Sequence, residues 1–438
     1  MNHFWGRRLL TREIEAMDCE EGNLPNYKKI AAVERLGNRI LCHRCGVETP
    51  VFEGQLADYG YFCIHCLSLG RCDSQQELYL FDQPKAESRE VVFSWTGKLT
   101  EKQTEIAERI LYHSEKRHHL IWAVTGAGKK TEMLYPILVK TLKAGGRVAI
   151  CTPRIDVCNE LFLRYRPVFP EETIMLLHGN TATAYTFSSF VICTIHQLYR
   201  FYRSFDLLVI DEIDAFPYSG DAGLAHAVQT AIKPDGRFIY LSATPDEKLL
   251  KEIKQTFELH KLALRFHRRL LPEPVLVFMN NWRQKCGNKK KINSLVRIIQ
   301  QLIKENRILL FCPSITMMHR LKITLQEAFP EYEITDVSSQ DDQRAKKVQE
   351  MREATYEILL TTMILERGVT FERISVIVLG ADHPVFTKSS LVQIAGRADR
   401  KGPYTNSRVY FFYEEKTSAI RKACQEIKEM NEEGKKML

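Results

Sequence analysis

Short apolar segments that alternate with helical stretches constrain the fold of this 438-residue chain more than any other feature. Between residues 91 and 267 such segments begin at Leu120, Arg147, Phe190, Leu207 and Phe238. In the rest of the chain they begin at Ile308, Glu357, Val376 and Val409. Continuous apolar strands that each precede a helix are typical of a parallel sheet buried between helices. The sequence therefore predicts an α/β protein with two parallel-sheet lobes.

The pattern also predicts where the lobes begin and end. Residues 1–92 hold the clustered cysteines and few long periodic segments, residues 93–268 form the first lobe, and residues 269–438 form the second. The segment from Leu270 to Pro274 contains two prolines one residue apart, which favours a linker because proline interrupts both helices and strands. Within the second lobe, residues 291–304 and 416–430 have the pattern of helices.

Two Cys-x-x-Cys pairs indicate a metal module ahead of the lobes. Cys42 and Cys45 form one pair, Cys63 and Cys66 the other, and 17 residues separate the pairs. Four thiolates at this spacing are the usual ligands of a closed, structural zinc site. His43, His65 and Cys72 are alternative ligands outside the regular spacing. The other interpretation is that the thiols merely pack together or act in redox chemistry.

Charge and composition narrow the class of partner and the compartment. Lysine and arginine total 62 against 54 acidic residues, a net charge of +8, which suits a polyanionic partner. No apolar stretch reaches the ~18–20 residues of a membrane-spanning helix, and the first residues lack the pattern of a signal peptide. We therefore expect a cytoplasmic protein whose 12 cysteines are reduced and whose membrane association, if any, is peripheral.

A glycine-rich loop between a strand and a helix predicts a nucleotide-binding site. It comprises Thr125, Gly126, Ala127, Gly128, Lys129, Lys130 and Thr131. In such loops backbone amides bind phosphates, a lysine neutralises them, and the next residue's hydroxyl binds Mg²⁺. Here one extra residue separates Lys129 from Thr131. A single-turn π-bulge after Lys129 could absorb it and return Thr131 to the metal; the alternative is that hydrolysis is reduced or lost.

Three further motifs complete the candidate ATPase site. Asp211 and Glu212 follow an apolar strand, where the first carboxylate can hold Mg²⁺ and the second can polarise the attacking water. Ser242-Ala-Thr244 ends the next strand with hydroxyl groups. In the second lobe, Arg397 and Arg400 lie three residues apart, which predicts that they share one helix face and stabilise charge on the transferred phosphoryl group. A solvated basic helix is the alternative.

The order of these motifs resembles superfamily 2 DNA helicases over about residues 99–402. The resemblance implies two RecA-like lobes that bind ATP and Mg²⁺ and track single-stranded DNA. It places Gln103 where such enzymes read adenine. It also assigns DNA contacts to strand-end residues in both lobes, namely Thr152, Pro153, Arg154, Thr194, Ser314 and Thr362.

The Cys₄ module followed by Trp-Ala-Val-Thr-Gly-Ala-Gly-Lys, Asp-Glu-Ile-Asp-Ala-Phe-Pro and Gln-Ile-Ala-Gly-Arg resembles, more closely, the late-competence helicase-like ATPases of the ComFA family. This resemblance implies a motor at the cytoplasmic face of the inner membrane that draws transforming DNA through a ComEC-type channel, with a ComFC-type partner. The alternatives are a duplex-unwinding repair or replication-restart helicase, and a hydrolysis-deficient DNA-binding assembly factor.

Overall fold

The computed structural model describes residues 2–17, 19, 21–57, 60–112, 117–128, 130–181, 184–215, 220–366, 369–398 and 406–438. The chain divides into two compact units. The first unit comprises residues 1–121, 130–242 and 247–260, and the second comprises residues 122–129, 243–246 and 261–438. The domain boundaries proposed after residues 92 and 268 stay predictions.

The N-terminal part of the first unit is built from short antiparallel strands. In chain order its elements are β1 (Arg8–Leu10), α1 (Thr11–Glu15), β2 (Tyr27–Ala31), β3 (Val33–Leu36), β4 (Arg39–Cys42), β5 (Glu48–Pro50) and β6 (Glu77–Phe81). They form two three-stranded sheets with the orders β1-β6-β2 and β3-β4-β5. The second of these sheets carries the first cysteine pair at the end of β4.

A seven-stranded sheet follows, with the strand order β13-β7-β12-β11-β8-β10-β9. Its strands are β7 (His118–Ala123), β8 (Val148–Thr152), β9 (Ile174–Leu177), β10 (Phe190–Thr194), β11 (Phe205–Asp211), β12 (Ile232–Ser242) and β13 (Phe257–Leu262). Its helices are α2 (Glu101–Tyr112), α3 (Tyr135–Lys143), α4 (Ile155–Tyr165), α5 (Ala222–Ala231) and α6 (Glu247–Ile253). Strands β8 to β12 pair in parallel, and β8, β10 and the core of β11 are buried along their length, which explains their continuous apolar sequences.

The second unit contains a six-stranded sheet with the order β14-β19-β18-β15-β17-β16, in which every pairing is parallel. Its strands are β14 (Pro274–Phe278), β15 (Arg307–Phe311), β16 (Ile334–Val337), β17 (Ile358–Thr361), β18 (Ile374–Leu379) and β19 (Val409–Tyr413). Its helices are α7 (Trp282–Lys285), α8 (Asn293–Leu302), α9 (Ile315–Ala328), α10 (Arg344–Arg352), α11 (Lys388–Ala395) and α12 (Ser418–Lys435). The predicted fold class, two parallel-sheet lobes, is confirmed.

One proline that was expected to break structure instead begins a strand. Pro274 is the first residue of β14, which lies at the edge of its sheet. Proline is tolerated there because the first residue of an edge strand need not donate a hydrogen bond on its open side. The predicted linker is therefore shorter than its sequence indicated. Among the described residues, no helix combines the length and apolar character needed to cross a membrane.

A buried arginine joins the N-terminal residues to the seven-stranded sheet. Arg147, which immediately precedes β8, is 1% exposed. Its guanidinium donates hydrogen bonds to the Ser188 carbonyl at 2.8 Å, Ser204 Oγ at 2.5 Å, Tyr185 Oη at 2.7 Å, Gln83 Oε1 at 3.1 Å and the Trp5 carbonyl at 3.3 Å. Because a buried guanidinium is stable only when its donors are satisfied, this set of acceptors fixes residues 5 and 83 against the sheet.

We expect the substitution Arg147→Met to lower the free energy of unfolding of the first unit by about 3–5 kcal/mol, because it leaves several buried acceptors without a donor. The measurement is the urea midpoint of the intact chain. Lys248→Met is the control, since the Lys248 side chain is 83% exposed. Equal midpoints for the two variants would contradict the assigned role of Arg147.

Candidate functional site

Two glycines of the glycine-rich loop adopt left-handed backbone conformations. Gly126 and Gly128 adopt φ angles of 84° and 62°, in the region that favours glycine. A Cβ atom on Gly128 would lie 2.7 Å from Phe266 Cβ, so space as well as conformation requires glycine there. Within the same loop Thr125 is partly buried and Ala127 is buried, and Lys129 lies outside the described residues.

The structure differs from the predicted π-bulge after this loop. Lys130 and Thr131 lie in a turn, a 3₁₀ segment spans Glu132–Leu134, and the α-helix begins only at Tyr135. The extra residue is therefore accommodated by delaying the α-helix behind a tighter turn, whereas a π-bulge would have widened an existing helix.

Lys130 makes an ion pair with the carboxylate that the sequence assigned to Mg²⁺. Its Nζ contacts Asp211 Oδ1, and the Asp211 side chain is 4% exposed. The same Oδ1 accepts a hydrogen bond from the Glu212 amide at 2.8 Å. Glu212 itself has a φ of 57°, and such strain in a non-glycine residue tends to occur at functional sites.

Thr131 is buried and directed away from this pair. Its hydroxyl accepts a hydrogen bond from Arg164 at 3.2 Å and contacts Glu132 Oε2 at 3.4 Å. Its carbonyl accepts a hydrogen bond from Tyr165 Oη at 3.1 Å. The structure therefore brings together Lys130 and Asp211, not Thr131 and Asp211.

The hydroxyl motif at the end of β12 is hydrogen-bonded on both sides of its alanine. In the first unit, Ser242 Oγ donates to Asp214 Oδ1 at 2.6 Å. In the second unit, Thr244 Oγ1 lies 2.6 Å from Ser389 Oγ and accepts a hydrogen bond from Gln393 Nε2 at 3.2 Å. Gln393 belongs to the same motif as Arg397, so Thr244 contacts that motif within the second unit.

The prediction that Arg397 lies on a helix face is wrong. Helix α11 ends at Ala395, and Arg397 lies in the turn that follows. Its guanidinium is buried and donates to the carbonyl of Glu366 at 2.8 Å and to the carbonyl of Val369. A Cβ atom on Gly396, the residue that ends the helix, would clash with the Thr125 side chain, so space requires glycine there. Arg400 lies outside the described residues.

Arg265 is a residue of the second unit that the sequence analysis missed. It is 3% exposed and donates to the carbonyl of Thr125 at 3.2 Å, of Gly396 at 2.9 Å and of Ala398 at 2.7 Å. It therefore joins the glycine-rich loop to the Arg397 motif. Its signal in the sequence is weak, since it is one arginine within the apolar run Leu262-Ala-Leu-Arg-Phe.

Gln103 lies in the first turn of α2 and is 1% exposed. Its side-chain Oε1 accepts a hydrogen bond from the backbone amide of Thr100 at 2.9 Å. The backbone amide of Gln103 in turn donates to Thr100 Oγ1 at 3.4 Å. This reciprocal pair caps the helix and fixes the position of the Gln103 side chain.

The residues predicted to contact DNA lie at the carboxyl ends of adjacent strands. Thr152 and Thr194 are register partners at the ends of β8 and β10, and Pro153 and Arg154 follow Thr152 directly. In the second unit, Phe311 and Thr361 are partners at the ends of β15 and β17, shortly before Ser314 and Thr362. Thr152 is fully buried, and its hydroxyl has no hydrogen-bond partner among the described residues.

The four predicted cysteine ligands come together in the first unit. One sulfur atom from each of Cys42, Cys45, Cys63 and Cys66 lies within 4.8 Å of the others. The Cys45–Cys63 and Cys42–Cys66 sulfur distances are 3.5 and 3.8 Å. A Zn–S bond of ~2.3 Å in a tetrahedron places sulfur atoms ~3.8 Å apart, so this donor set fits zinc.

Of the three alternative zinc ligands, only Cys72 lies beside the cysteine cluster. Cys72 Sγ lies 3.7 Å from Cys42 Sγ but contacts the Ala32 carbonyl as well, and it is not one of the four mutually close sulfur atoms. His43 pairs with Glu34 at 3.0 Å, and His65 is exposed.

Two buried arginines lie beside the cysteine cluster. Arg44 is 0% exposed, its nitrogen atoms have no hydrogen-bond partner among the described residues, and its nearest carboxylate, Glu13, is 3.7 Å away. Burial lowers the pKa of Arg8 to about 10, while the thiols of Cys42, Cys66 and Cys45 favour its charged form. Zinc with four thiolates carries two negative charges, which two guanidinium groups would neutralise. This charge balance is a second observation that fits a metal.

Comparisons with known proteins agree with this arrangement. The sequence model of the DEAD/DEAH box helicase family matches residues 100–253, and that of the helicase conserved C-terminal domain matches residues 290–402. The chain is 39% identical over 413 residues to the competence protein ComFA of Streptococcus pneumoniae, covering 93% of this chain and 94% of that protein. It is 37% identical over 440 residues to the competence protein ComFA of Bacillus subtilis, covering 97% and 94%.

Solved helicase structures share the fold at low identity. Dbp5 of S. cerevisiae, bound to RNA and ADP BeF3, has a TM-score of 0.55 at 17% identity and covers 78% of this chain and 94% of that one. The helicase Lhr of Mycobacterium smegmatis, bound to ssDNA and AMP-PNP, has a TM-score of 0.54 at 17% identity and covers 76% and 48%. At this identity the similarity concerns the fold alone.

Proposed function

Because the chain belongs to the ComFA family of superfamily 2 helicase-like ATPases, we propose that it uses ATP to move along single-stranded DNA during natural competence. The observation that carries the proposal is the 39% identity over 413 residues to a competence protein. In this proposal the motor draws transforming DNA across the membrane from its cytoplasmic face. A ComEC-type channel and a ComFC-type protein are its proposed partners.

The proposed nucleotide site combines the motifs at the strand ends. Gln103 would contact adenine, and the glycine-rich loop with Gly126, Gly128 and Lys129 would surround the phosphates. Glu212 would accept a proton from the attacking water. Asp211 would orient Glu212, because Asp211 Oδ1 accepts a hydrogen bond from the Glu212 backbone amide. Arg397 and Arg400 would stabilise charge on the phosphoryl group.

A helicase-type ATPase implies Mg²⁺ beside ATP, but the side chains do not fit that ion in this arrangement. The Lys130 ammonium occupies Asp211 Oδ1, and the Thr131 hydroxyl is engaged with Arg164. Magnesium requires oxygen ligands in an octahedron, and here it would meet a positive charge.

The proposed DNA path follows the strand ends. Thr152, Arg154 and Thr194 are side by side in the first unit, and Ser314 and Thr362 are comparably placed in the second. Thr152 and Thr194 are buried at their strand ends. The partly exposed Arg154 and Thr362 and the exposed Ser314 suit contacts with the sugar–phosphate backbone, which carries no sequence information. We infer that the motor binds single strands of any sequence.

One observation favours a second function, a DNA-binding assembly factor that does not hydrolyse ATP. It is the same Lys130–Asp211 ion pair, since a lysine held on this carboxylate opposes the binding of a divalent cation. This function predicts tight binding of single strands without nucleotide turnover.

We also propose that Cys42, Cys45, Cys63 and Cys66 hold a structural zinc ion. Four buried thiolates leave no open position for a substrate, so the metal would fix the fold of the N-terminal strands. Arg8 and Arg44 would balance its charge.

The first test is ATP hydrolysis by the full chain with and without single-stranded DNA. We expect DNA to stimulate turnover, and Glu212→Gln to lower it by about 10²–10⁴-fold while nucleotide binding is retained, because only the general base is lost. Glu252→Gln, on the exposed face of α6, is the control. Undetectable turnover in the wild type with intact DNA binding would favour the assembly factor.

A second test removes the obstructing charge. We expect both Lys130→Met and deletion of Lys130 to raise turnover by on the order of tenfold or more, because each frees Asp211 of its ammonium. The substitution keeps the loop length, so it separates charge from spacing, and Lys130→Arg should match the wild type. Unchanged turnover in both variants would show that the ion pair opens without cost when nucleotide binds.

A third test concerns the zinc ion. We expect Cys45→Ser to lose one zinc equivalent per chain and to lower the unfolding temperature, because a thiolate ligand is replaced by a poor one. Cys72→Ser is the matched control, since Cys72 is equally buried beside the cluster. The measurement is zinc bound per chain, determined by mass spectrometry. Equal loss of zinc in the two variants would place Cys72 among the ligands.

A further inference from the structure

A second cluster of metal-ligating side chains lies at the edge of the seven-stranded sheet. His119 is on β7, and Glu258 and His260 are on the edge strand β13, which neighbours β7. Residues two apart in a strand point to the same face, so Glu258 and His260 share one face. His119 and His260 are 0% and 5% exposed. None of the motifs assigned above uses these residues.

The distances suit a single ion. His119 Nδ1 lies 3.0 Å from His260 Nε2, and one ligand atom from each of the three residues lies within 4.8 Å of the others. Two nitrogen ligands at ~2.0–2.1 Å from a tetrahedral zinc ion are ~3.3 Å apart. A shift of a few tenths of an ångström would therefore open the histidine pair to a metal.

The Glu258 carboxylate is oriented with one oxygen available. Its Oε1 accepts a hydrogen bond from Arg109 Nη1 at 3.2 Å, whereas its Oε2 is buried and has no hydrogen-bond partner among the described residues. A ligating carboxylate whose second oxygen is held by a neighbouring donor is the usual arrangement in metal sites. Oε1 also lies 4.0 Å from His260 Nδ1, so the carboxylate is within reach of an ion that the histidines would hold.

The charged groups that face the cluster come from α2 and β12. Lys102 pairs with Glu105 at 2.7 Å, and Arg109 lies 3.7 Å from Glu105 as well as against Glu258. Arg237, on β12, adds a third positive charge near His119.

We propose that His119, Glu258 and His260 form a second metal site that binds a divalent transition ion of the zinc class. Two imidazole nitrogens and one carboxylate oxygen suit such an ion, whereas Mg²⁺ and Ca²⁺ prefer ligand sets made of oxygen atoms. The site is buried and joins an edge strand to its neighbour, so its role is to hold β13 on the sheet. The competing arrangement is a metal-free hydrogen bond between two neutral histidines.

The experiment measures zinc bound per chain by the full-length protein after removal and stepwise return of zinc. We expect the wild type to take up a second equivalent beyond the cysteine site, and His119→Gln and His260→Gln to lose that second equivalent only. His118→Gln is the matched control, because His118 is on the same strand and its ring contacts Phe238 and Phe257 instead. The double variant Cys45→Ser, Cys66→Ser should keep the histidine site.

Replacing zinc with cobalt allows the two sites to be distinguished by visible absorption in the wild-type protein, without a histidine variant. In the wild type, the equivalent bound at the histidine site should add visible absorption without a sulfur-to-cobalt band, whereas the cysteine site should show that band. Uptake of a single equivalent by the wild type, unchanged in His119→Gln, would overturn the proposal and leave a hydrogen-bonded histidine pair. Should His119→Gln fail to fold, Glu258→Gln and the wild-type cobalt titration still decide between the two.

Discussion

Parallel pairing of buried strands is the constraint on which the rest of this molecule depends. A parallel ladder brings every carboxyl end to the same edge of its sheet, so side chains that are far apart in sequence become neighbours. The register partners Thr152 and Thr194, and the strand-end carboxylates Asp211 and Glu212, are all placed in this way. Their positions follow from backbone hydrogen bonds and apolar burial, not from contacts that the polar side chains make with one another.

The fold was largely predictable because each buried parallel strand leaves a continuous apolar segment. All nine predicted strands are present, from β7 at residue 118 to β19 at residue 409. Within the two lobes four strands were missed, namely β9, β13, β14 and β16, and all four lie at sheet edges. β13 and β16 carry polar residues, whereas β9 and β14 are apolar but only partly buried, and β14 begins with a proline.

The candidate site was predictable in its residues but less so in its contacts. Spacing identified Cys42, Cys45, Cys63 and Cys66, and these sulfur atoms do converge. The fate of the extra lysine could not be foreseen, because whether a helix widens or begins later depends on neighbours such as Arg164 and Tyr165. The Arg397 turn was also missed, since three-residue spacing indicates a shared face only where a helix actually continues.

The contacts of Arg8 have a consequence for the order of events during synthesis. Its Nε donates to the Tyr199 carbonyl at 3.1 Å, a partner 191 residues further along the chain. At ~5–20 residues per second a ribosome needs roughly 10–40 s to make that stretch. The N-terminal strands therefore leave the ribosome well before the surface that buries them exists. A nascent chain would carry these cysteines and arginines exposed for that interval, a period in which a chaperone or early metal capture would protect it.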